Sequence, residues 1–177
     1  MVSGLLVACQ VQGGTMEKAS GRQKGPLPIL RRYVELRLQD AGWKEYSGFI
    51  TWPDEPSWDC KWVVSKFSIG SPVREADRVA IPVVYNRVGL FCYEFDFEGK
   101  PKVVTIRYEL VKRRGAWRVN GPIPDYPEVS GEVLIKSLRS IAGKSGVTQQ
   151  RRTRALATAQ KIKDAISASH KVSANDQ

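Results

Sequence analysis

The sequence predicts an α+β domain, in which a curved antiparallel sheet packs against N-terminal helices and an additional helix follows at the C-terminus. Apolar residues recur at spacings of three and four over residues 28–42, which indicates a helix. Over residues 61–120 they alternate with polar residues, which indicates strands. Helical spacing returns over residues 130–169. Helices that are segregated from a run of strands are typical of the α+β class.

The first predicted helix begins near Pro28, because proline suits the first helical turn, and Gly42 ends it. A short helical segment over 43–52 and a proline-rich loop over 52–59 follow, and the two tryptophans of the loop are expected to cover the core. The apolar stripe of the first helix consists of Leu30, Tyr33, Val34, Leu38 and Ala41.

The predicted strands span residues 61–69, 77–86, 89–98, 102–113 and 116–120. A two-residue loop at Gly99-Lys100 would place Phe97 opposite Lys102, and the next hairpin would place Leu110 opposite Val119. This alternation divides the sheet into an apolar and a polar face. The apolar face carries Tyr93, Phe95, Phe97, Val104, Ile106, Tyr108, Leu110, Trp117 and Val119. The polar face carries Glu94, Asp96, Thr105, Arg107, Glu109 and Arg118. On the first strand, the residues expected on one side are Val63, Phe67 and Ile69.

Positive charge is concentrated at the C-terminus of the 177-residue chain. The formal net charge is +10, and residues 136–177 hold nine Lys or Arg against two Asp. A solvated helix explains this charge, and attraction to an anionic membrane surface is the alternative. Nucleic acid is disfavoured, because no aromatic residue lies among these basic residues for base stacking.

The final predicted helix spans residues 149–169. Arg151, Arg152 and Arg154 cluster near its N-terminal end, where the helix dipole is already positive, so they are predicted to contact an anionic partner. The helix is expected to dock loosely or not at all, because its apolar stripe is thin and burying alanine gains little. That stripe consists of Ala157, Ala159, Ile162 and Ile166.

The first residues resemble the end of a bacterial lipoprotein signal peptide. Leu6-Val-Ala-Cys9 matches the lipobox, which makes Cys9 a candidate for lipidation, and polar residues follow it. No Lys or Arg precedes Cys9 and the apolar stretch is short, so either the true start lies upstream of Met1 or the match is chance. Residues 1–26 are interpreted as leader and linker. The expected location is the cell envelope, either periplasmic or lipid-anchored, and otherwise the cytoplasm.

Three cysteines are an odd number for an exported protein. If Cys9 carries lipid, Cys60 and Cys92 remain as a candidate disulfide. The alternative is that both are small buried residues with free thiols.

Three stretches resemble the nuclear-transport-factor-2-like superfamily, and more closely its small bacterial envelope proteins of unknown function. They are Tyr33-Val-Glu-Leu-Arg37 with Trp43, Trp58-Asp-Cys-Lys-Trp-Val-Val64, and Lys112-Arg-Arg-Gly-Ala-Trp-Arg-Val-Asn120. The resemblance implies a cone-shaped α+β domain over residues 27–142, which leaves 143–177 as a basic helical tail. It does not imply one activity, because this fold hosts isomerases, dehydratases, transport factors and binding modules.

Most catalytic arrangements are disfavoured by composition. His170 is the only histidine, no glycine-rich phosphate loop occurs, and no cysteines stand at metal-binding spacing, so we expect neither metal nor cofactor. Asp59 is the best acid candidate for an enzyme of this fold.

The sequence favours a binding or accessory protein with an apolar pocket under the tryptophan-rich loop. The residues predicted to line this pocket are Tyr33, Trp58, Asp59, Trp62, Tyr93, Phe95, Tyr108 and Trp117. The expected partner is an unidentified protein or a small apolar ligand, and a homodimer stays open. The alternatives are an isomerase- or dehydratase-like enzyme that uses Asp59 or a buried tyrosine, and an immunity-type inhibitor of a protein partner.

Overall fold

The computed structural model of the protein describes residues 25–54 and 58–175, so residues 1–24 of the predicted leader and linker, including Cys9, lie outside the described residues. The predicted α+β class is confirmed: a strongly curved half-barrel sheet carries helices at both ends of the chain. The helices are α1 (Pro26–Leu38), α2 (Trp43–Tyr46), α3 (Gly131–Gly143) and α4 (Gln149–Asn175), with 3-10 turns at Ser47–Phe49 and Tyr93–Phe95. The strands are β1 (Cys60–Ile69), β2 (Val73–Glu75), β3 (Arg78–Cys92), β4 (Asp96–Arg113), β5 (Ala116–Gly121) and β6 (Glu128–Ser130).

The strands form one sheet in the order β5-β4-β3-β1-β6, and β2 pairs with β3. All pairs are antiparallel except β1 with β6, which run parallel. The strands β2 and β6 have three residues each, which is too short for an alternating pattern to reveal them. The predicted register of Leu110 opposite Val119 is confirmed.

The predicted hairpin at Gly99-Lys100 is wrong. Both residues lie inside β4, and the chain reverses instead at Tyr93–Phe95, so that Phe97 pairs with Phe91 and Gly99 with Gly89. A Cβ atom at Gly89 would lie 2.4 Å from the carbonyl oxygen of Glu98. Glycine here permits a close approach of β3 and β4, and the long ladder between these strands outweighs the local turn preference of Gly99-Lys100.

The predicted apolar face is therefore divided between the two sides of the sheet. Because β4 runs on without reversal, Phe97 packs on the side opposite to Tyr108 and Leu110, and Phe95 of the preceding turn packs on the same side as Phe97. In β1 an irregularity after Val63 has the same effect. Val63 packs on one side, whereas the other two residues expected to share its side, Phe67 and Ile69, pack on the other.

Two hydrophobic clusters result, one on each side of the sheet. The first cluster lies under α1 and contains Leu30, Tyr33, Val34, Leu36, Leu38, Tyr46, Ile50, Val64, Val79, Ile81, Val83, Tyr85, Tyr108, Leu110 and Val119. The second cluster lies under α3 and α4 and contains Val63, Val88, Val129, Leu134, Leu138, Ala142, Ala155, Ala159 and Ile162.

The expectation that the last helix docks loosely is wrong. Ala155 and Ile162 of α4 are completely buried, and Ala159 is 2% exposed. Small side chains let α4 approach α3 and the sheet closely, so backbone and side-chain atoms pack at high density even though each alanine buries little area. None of the described helices is both long enough and apolar enough to cross a membrane.

Candidate ligand-binding groove

The eight residues predicted to line a pocket do not converge. Tyr33 and Tyr108 are buried in the first cluster with ring centroids 5.9 Å apart, and the half-buried Trp117 packs against the same cluster. Phe95 packs against the second cluster, whereas Tyr93 is 78% exposed. The three others lie at the start of β1 or just before it, where Asp59 is exposed and Trp58 and Trp62 are half-buried.

The structure contains a groove between α3, the first turns of α4 and the 3-10 turn at Tyr93–Phe95, and only Tyr93 and Phe95 of the eight predicted residues line it. Its volume is about 420 Å³, within the range typical of small-molecule sites. The apolar part of its lining consists of Phe91, Tyr93, Phe95, Leu134, Leu138 and Ile141. The polar part consists of Asp40, Lys61, Glu94, Ser137, Thr148, Gln150, Arg151 and Arg154. The lining of the groove is therefore partly apolar and partly charged, and its charged residues are here called the charged rim.

The turn that closes one end of the groove has a strained backbone. Glu94 and Phe95 have φ angles of 61° and 67°, in the left-handed region that non-glycine residues rarely adopt. Such strain persists only where surrounding contacts enforce it, and it clusters at functional sites.

Three contacts hold this turn in place. The disulfide between Cys60 and Cys92 joins the start of β1 to the residue before the turn. The amide of Tyr93 donates a hydrogen bond to the carbonyl of Asp59 over 2.9 Å. The hydroxyl of Thr158 on α4 donates to the carbonyl of Phe95 over 2.6 Å. The turn is thus fixed to both β1 and α4, and it presents the exposed ring of Tyr93.

The charged rim has an excess of positive charge. Lys61 and Asp40 form a salt bridge with each other, whereas Arg151 and Arg154 face a single further carboxylate, Glu94. The guanidinium of Arg151 lies 5.5 Å from the centre of the Phe95 ring, which orients it beside the apolar floor. The first turn of α4 adds the positive end of its helix dipole.

Sequence reasoning located part of this rim. Of the three arginines predicted to contact an anion, Arg151 and Arg154 line the groove, whereas Arg152 does not. Of the eight residues predicted to line a pocket, Tyr93 and Phe95 belong to the apolar lining of this groove. The part of the lining on α3 was missed: Leu134, Leu138 and Ile141 lie on one apolar helix face, and that pattern alone cannot tell a buried face from a groove wall.

A second set of residues, here called the inner polar cluster, lies within and beside the first hydrophobic cluster. Glu128 of β6 is 3% exposed and accepts a hydrogen bond of 2.6 Å from Nη2 of Arg87, whose guanidinium stacks 4.6 Å above the ring of Trp62. Arg37 of α1 is 8% exposed and donates from Nη1 to the hydroxyl of Tyr46 over 2.9 Å. The complete cluster comprises Tyr33, Arg37, Tyr46, Tyr85, Arg87, Tyr108 and Glu128.

Burial dominates ionisation in the inner polar cluster. It raises the pKa of Glu128 above its ordinary value, although the hydrogen bond from Arg87 and the charges of Arg87 and Arg37 oppose this. Burial also raises the pKa of Tyr33 to about 12 and the pKa values of Tyr85 and Tyr108 well above their usual range. The tyrosines are therefore neutral donors at physiological pH. Glu128 was not predicted from sequence, because a lone glutamate in a three-residue strand carries no pattern.

Comparisons of the chain with models of protein families, with curated proteins and with solved structures each gave no match. The resemblance to the nuclear-transport-factor-2-like superfamily therefore stays a prediction. Within residues 25–54 and 58–175, no group of three or more His, Cys, Asp or Glu side chains is placed to hold a metal ion.

Proposed function

We propose that the protein is a binding or accessory protein that holds an amphipathic anion in the groove between α3, α4 and the 3-10 turn at Tyr93–Phe95. The observation that carries the proposal is the pairing of an apolar floor with two arginines on one rim. An apolar ligand body would cover Leu134, Leu138 and Ile141. Its anionic group would meet Arg151 and Arg154, since guanidinium groups bind carboxylates and phosphates through two parallel hydrogen bonds.

The strained turn supports a binding role over a purely structural one. A disulfide and two hydrogen bonds hold Tyr93–Phe95 in an unfavourable conformation beside an open groove. A rigid wall lowers the entropy that binding must overcome, because the site is ordered before the ligand arrives. The exposed ring of Tyr93 would then cover one side of the ligand.

Export of the protein is part of the proposal. Disulfides form and persist mainly in oxidising compartments, so the bond between Cys60 and Cys92 supports a location outside the cytoplasm. Attachment to a membrane through Cys9 would place the groove close to amphipathic anions.

The enzymatic alternative has weaker support. Asp59, the acid candidate, is exposed and lies outside the inner polar cluster. The buried carboxylate of that cluster, Glu128, is engaged by Arg87.

A comparison of three twelve-carbon amphiphiles tests the proposed function. Calorimetric titration below the micelle concentration should show saturable binding of dodecanoate, weaker binding of dodecyl maltoside, and no binding of dodecyltrimethylammonium. The double variant Arg151→Gln/Arg154→Gln should bind dodecanoate at least about tenfold more weakly, because hydrogen bonds between charged groups are lost.

The matched control is Lys112→Gln/Arg113→Gln, which removes the same charge at the opposite end of β4 and should leave dodecanoate affinity unchanged. Equal affinity for the cationic and anionic amphiphiles, or equal losses in the two double variants, would contradict the proposal.

A further inference from the structure

Three hydrogen-bond donors of the inner polar cluster have no partner within the described residues. They are the hydroxyl of Tyr33, Nη2 of Arg37 and Nε of Arg87. Tyr33 is 1% exposed and Arg37 is 8% exposed, so bulk water does not satisfy them. Buried donors in folded proteins are paired with an acceptor in nearly all cases, and arginine can only donate. The cluster therefore lacks acceptor atoms.

The same cluster has an excess of positive charge. Arg37 and Arg87 contribute two positive charges, and Glu128 contributes at most one negative charge. The oxygen of Glu128 that faces Arg87 is already engaged, at 2.6 Å. Burying an unbalanced charge is costly unless an opposite charge is placed beside it. A negatively charged group that accepts hydrogen bonds would therefore both pair the open donors and balance the extra positive charge.

We infer that the inner polar cluster binds a small oxyanion, either a carboxylate or a phosphate-like group, through Arg37 and Tyr33. These two residues lie one helical turn apart on α1, so their side chains leave the helix on the same face. Two or more acceptor oxygens with a negative charge satisfy the open donors of Tyr33 and Arg37 and balance the extra arginine. This site is separate from the groove, because the two have no lining residue in common.

The guanidinium of Arg37 is oriented before any ligand binds. Its central carbon lies 4.9 Å from the centre of the Tyr46 ring and 4.8 Å from the centre of the Trp58 ring. The hydrogen bond from Nη1 to Tyr46 fixes its rotation and leaves Nη2 open. Trp58 is half-buried and its ring contacts this guanidinium, so its fluorescence can report binding.

The experiment is a calorimetric titration of the full chain with sodium acetate, phosphate and sulfate, with chloride keeping the ionic strength constant. We expect saturable binding of at least one of the three, and the preferred anion distinguishes a carboxylate site from a phosphate-like site. Tyr33→Phe should weaken that binding about tenfold, because one hydrogen bond to a charged group is lost. In chloride buffer without acetate, phosphate or sulfate, Tyr33→Phe should unfold at the same or a higher temperature, because it removes only an unpaired hydroxyl.

Tyr126→Phe is the matched control, because it removes the same atom from an exposed tyrosine outside the inner polar cluster. It should leave both the unfolding temperature and the anion affinity unchanged. Arg151→Gln/Arg154→Gln should also leave this affinity unchanged, which separates the site from the groove.

Arg37→Gln should abolish binding of the anion, and if that variant does not fold, Tyr33→Phe decides alone. The inference is overturned if none of the three anions binds saturably. It is also overturned if Tyr33→Phe binds like the wild type.

Discussion

The two hydrophobic clusters of this protein are built on opposite principles. The first, under α1, has large side chains and surrounds charged groups: four tyrosines are fully buried, and Arg37 and Glu128 lie among or beside them. The second, under α3 and α4, has small and aliphatic side chains such as Ala155 and Ala159. Large rings leave room for buried hydrogen bonds, whereas small residues bring helices close together. The first cluster can therefore hold polar chemistry, and the second mainly positions a surface.

That difference explains why the groove lies where it does. Close packing of α4 against α3 sets the first turn of α4, with Arg151, beside the turn at Tyr93–Phe95. At Gly131 a Cβ atom would lie 2.5 Å from Ile166 of α4, so the start of α3 has no room for a side chain. The small residues of the second cluster are thus what brings the groove walls together.

Deleting residues 147–177 should have the largest effect on stability, because it removes α4 from the second cluster. The deletion uncovers Leu134 and Leu138 and removes Ile162, so the free energy of unfolding should fall by more than the ~2–5 kcal/mol of one large-to-small core substitution. Urea unfolding followed by circular dichroism measures it. An unchanged midpoint would show that α4 is an appendage and that the second cluster is no core.

Removal of the disulfide should have the next largest effect. The bond closes a sequence separation of 32 residues, and the chain-entropy model assigns about 3–4 kcal/mol to a loop of this size. Cys60→Ser/Cys92→Ser should lose this amount in urea unfolding, and reductant should produce the same loss in the wild type but none in the variant. Equal stability of the oxidised wild type and the variant would mean that the other contacts suffice to hold the turn.

Adding atoms to one side chain of the second cluster tests how closely this cluster is packed. Ala155 is completely buried, whereas Ala157 on the same helix is exposed. Ala155→Leu should cost about 1–3 kcal/mol, because a close-packed interior has no space for the added atoms. Ala157→Leu should change stability by less than about 0.5 kcal/mol. Similar effects of the two substitutions would show that α4 is not closely packed.

The smallest expected effect concerns the pH dependence of the first cluster. Because burial raises the pKa of Glu128, the folded protein keeps this proton to higher pH than the unfolded chain does. The resulting stability is fully present below the ordinary value of 4.5 and is lost as pH rises through the folded value.

Glu128→Gln is the matched neutral variant. The unfolding free energy of the wild type minus that of the variant should fall from about pH 4 to about pH 8. The charged and ionisable groups that act on Glu128 among the described residues include Arg37, Arg87, Tyr33, Tyr85 and Tyr108. Burial raises the pKa values of the three tyrosines, so they stay neutral over this range. If this free-energy difference rises with pH instead, the effect of Arg87 on the pKa of Glu128 is larger than the effect of burial.

The α+β class and the buried face of α1 were predictable from sequence, because both depend on periodicity. Leu30, Tyr33, Val34 and Leu38 recur at helical spacing, and all four are buried. The register of Leu110 and Val119 was also predictable, since a tight turn at Arg114-Gly115 joins their strands. Part of the groove rim was predictable as well, because three arginines close together mark a charged surface wherever the helix docks.

By itself the sequence determined those features that neighbouring residues specify: periodicity, local turns and charge. Only the tertiary structure decided the turn at Tyr93–Phe95, the side of the sheet on which Phe95 and Val63 pack, and the docking of α4. Each depends on contacts between residues far apart in the chain, such as the hydrogen bond from Thr158 to Phe95. The position of Glu128 among Arg37, Arg87 and the tyrosines has the same origin, because a short parallel strand brings it beside β1. Local preferences amount to a few tenths of a kcal/mol to about 1 kcal/mol per residue, and a long strand ladder or a closely packed helix pair outweighs them.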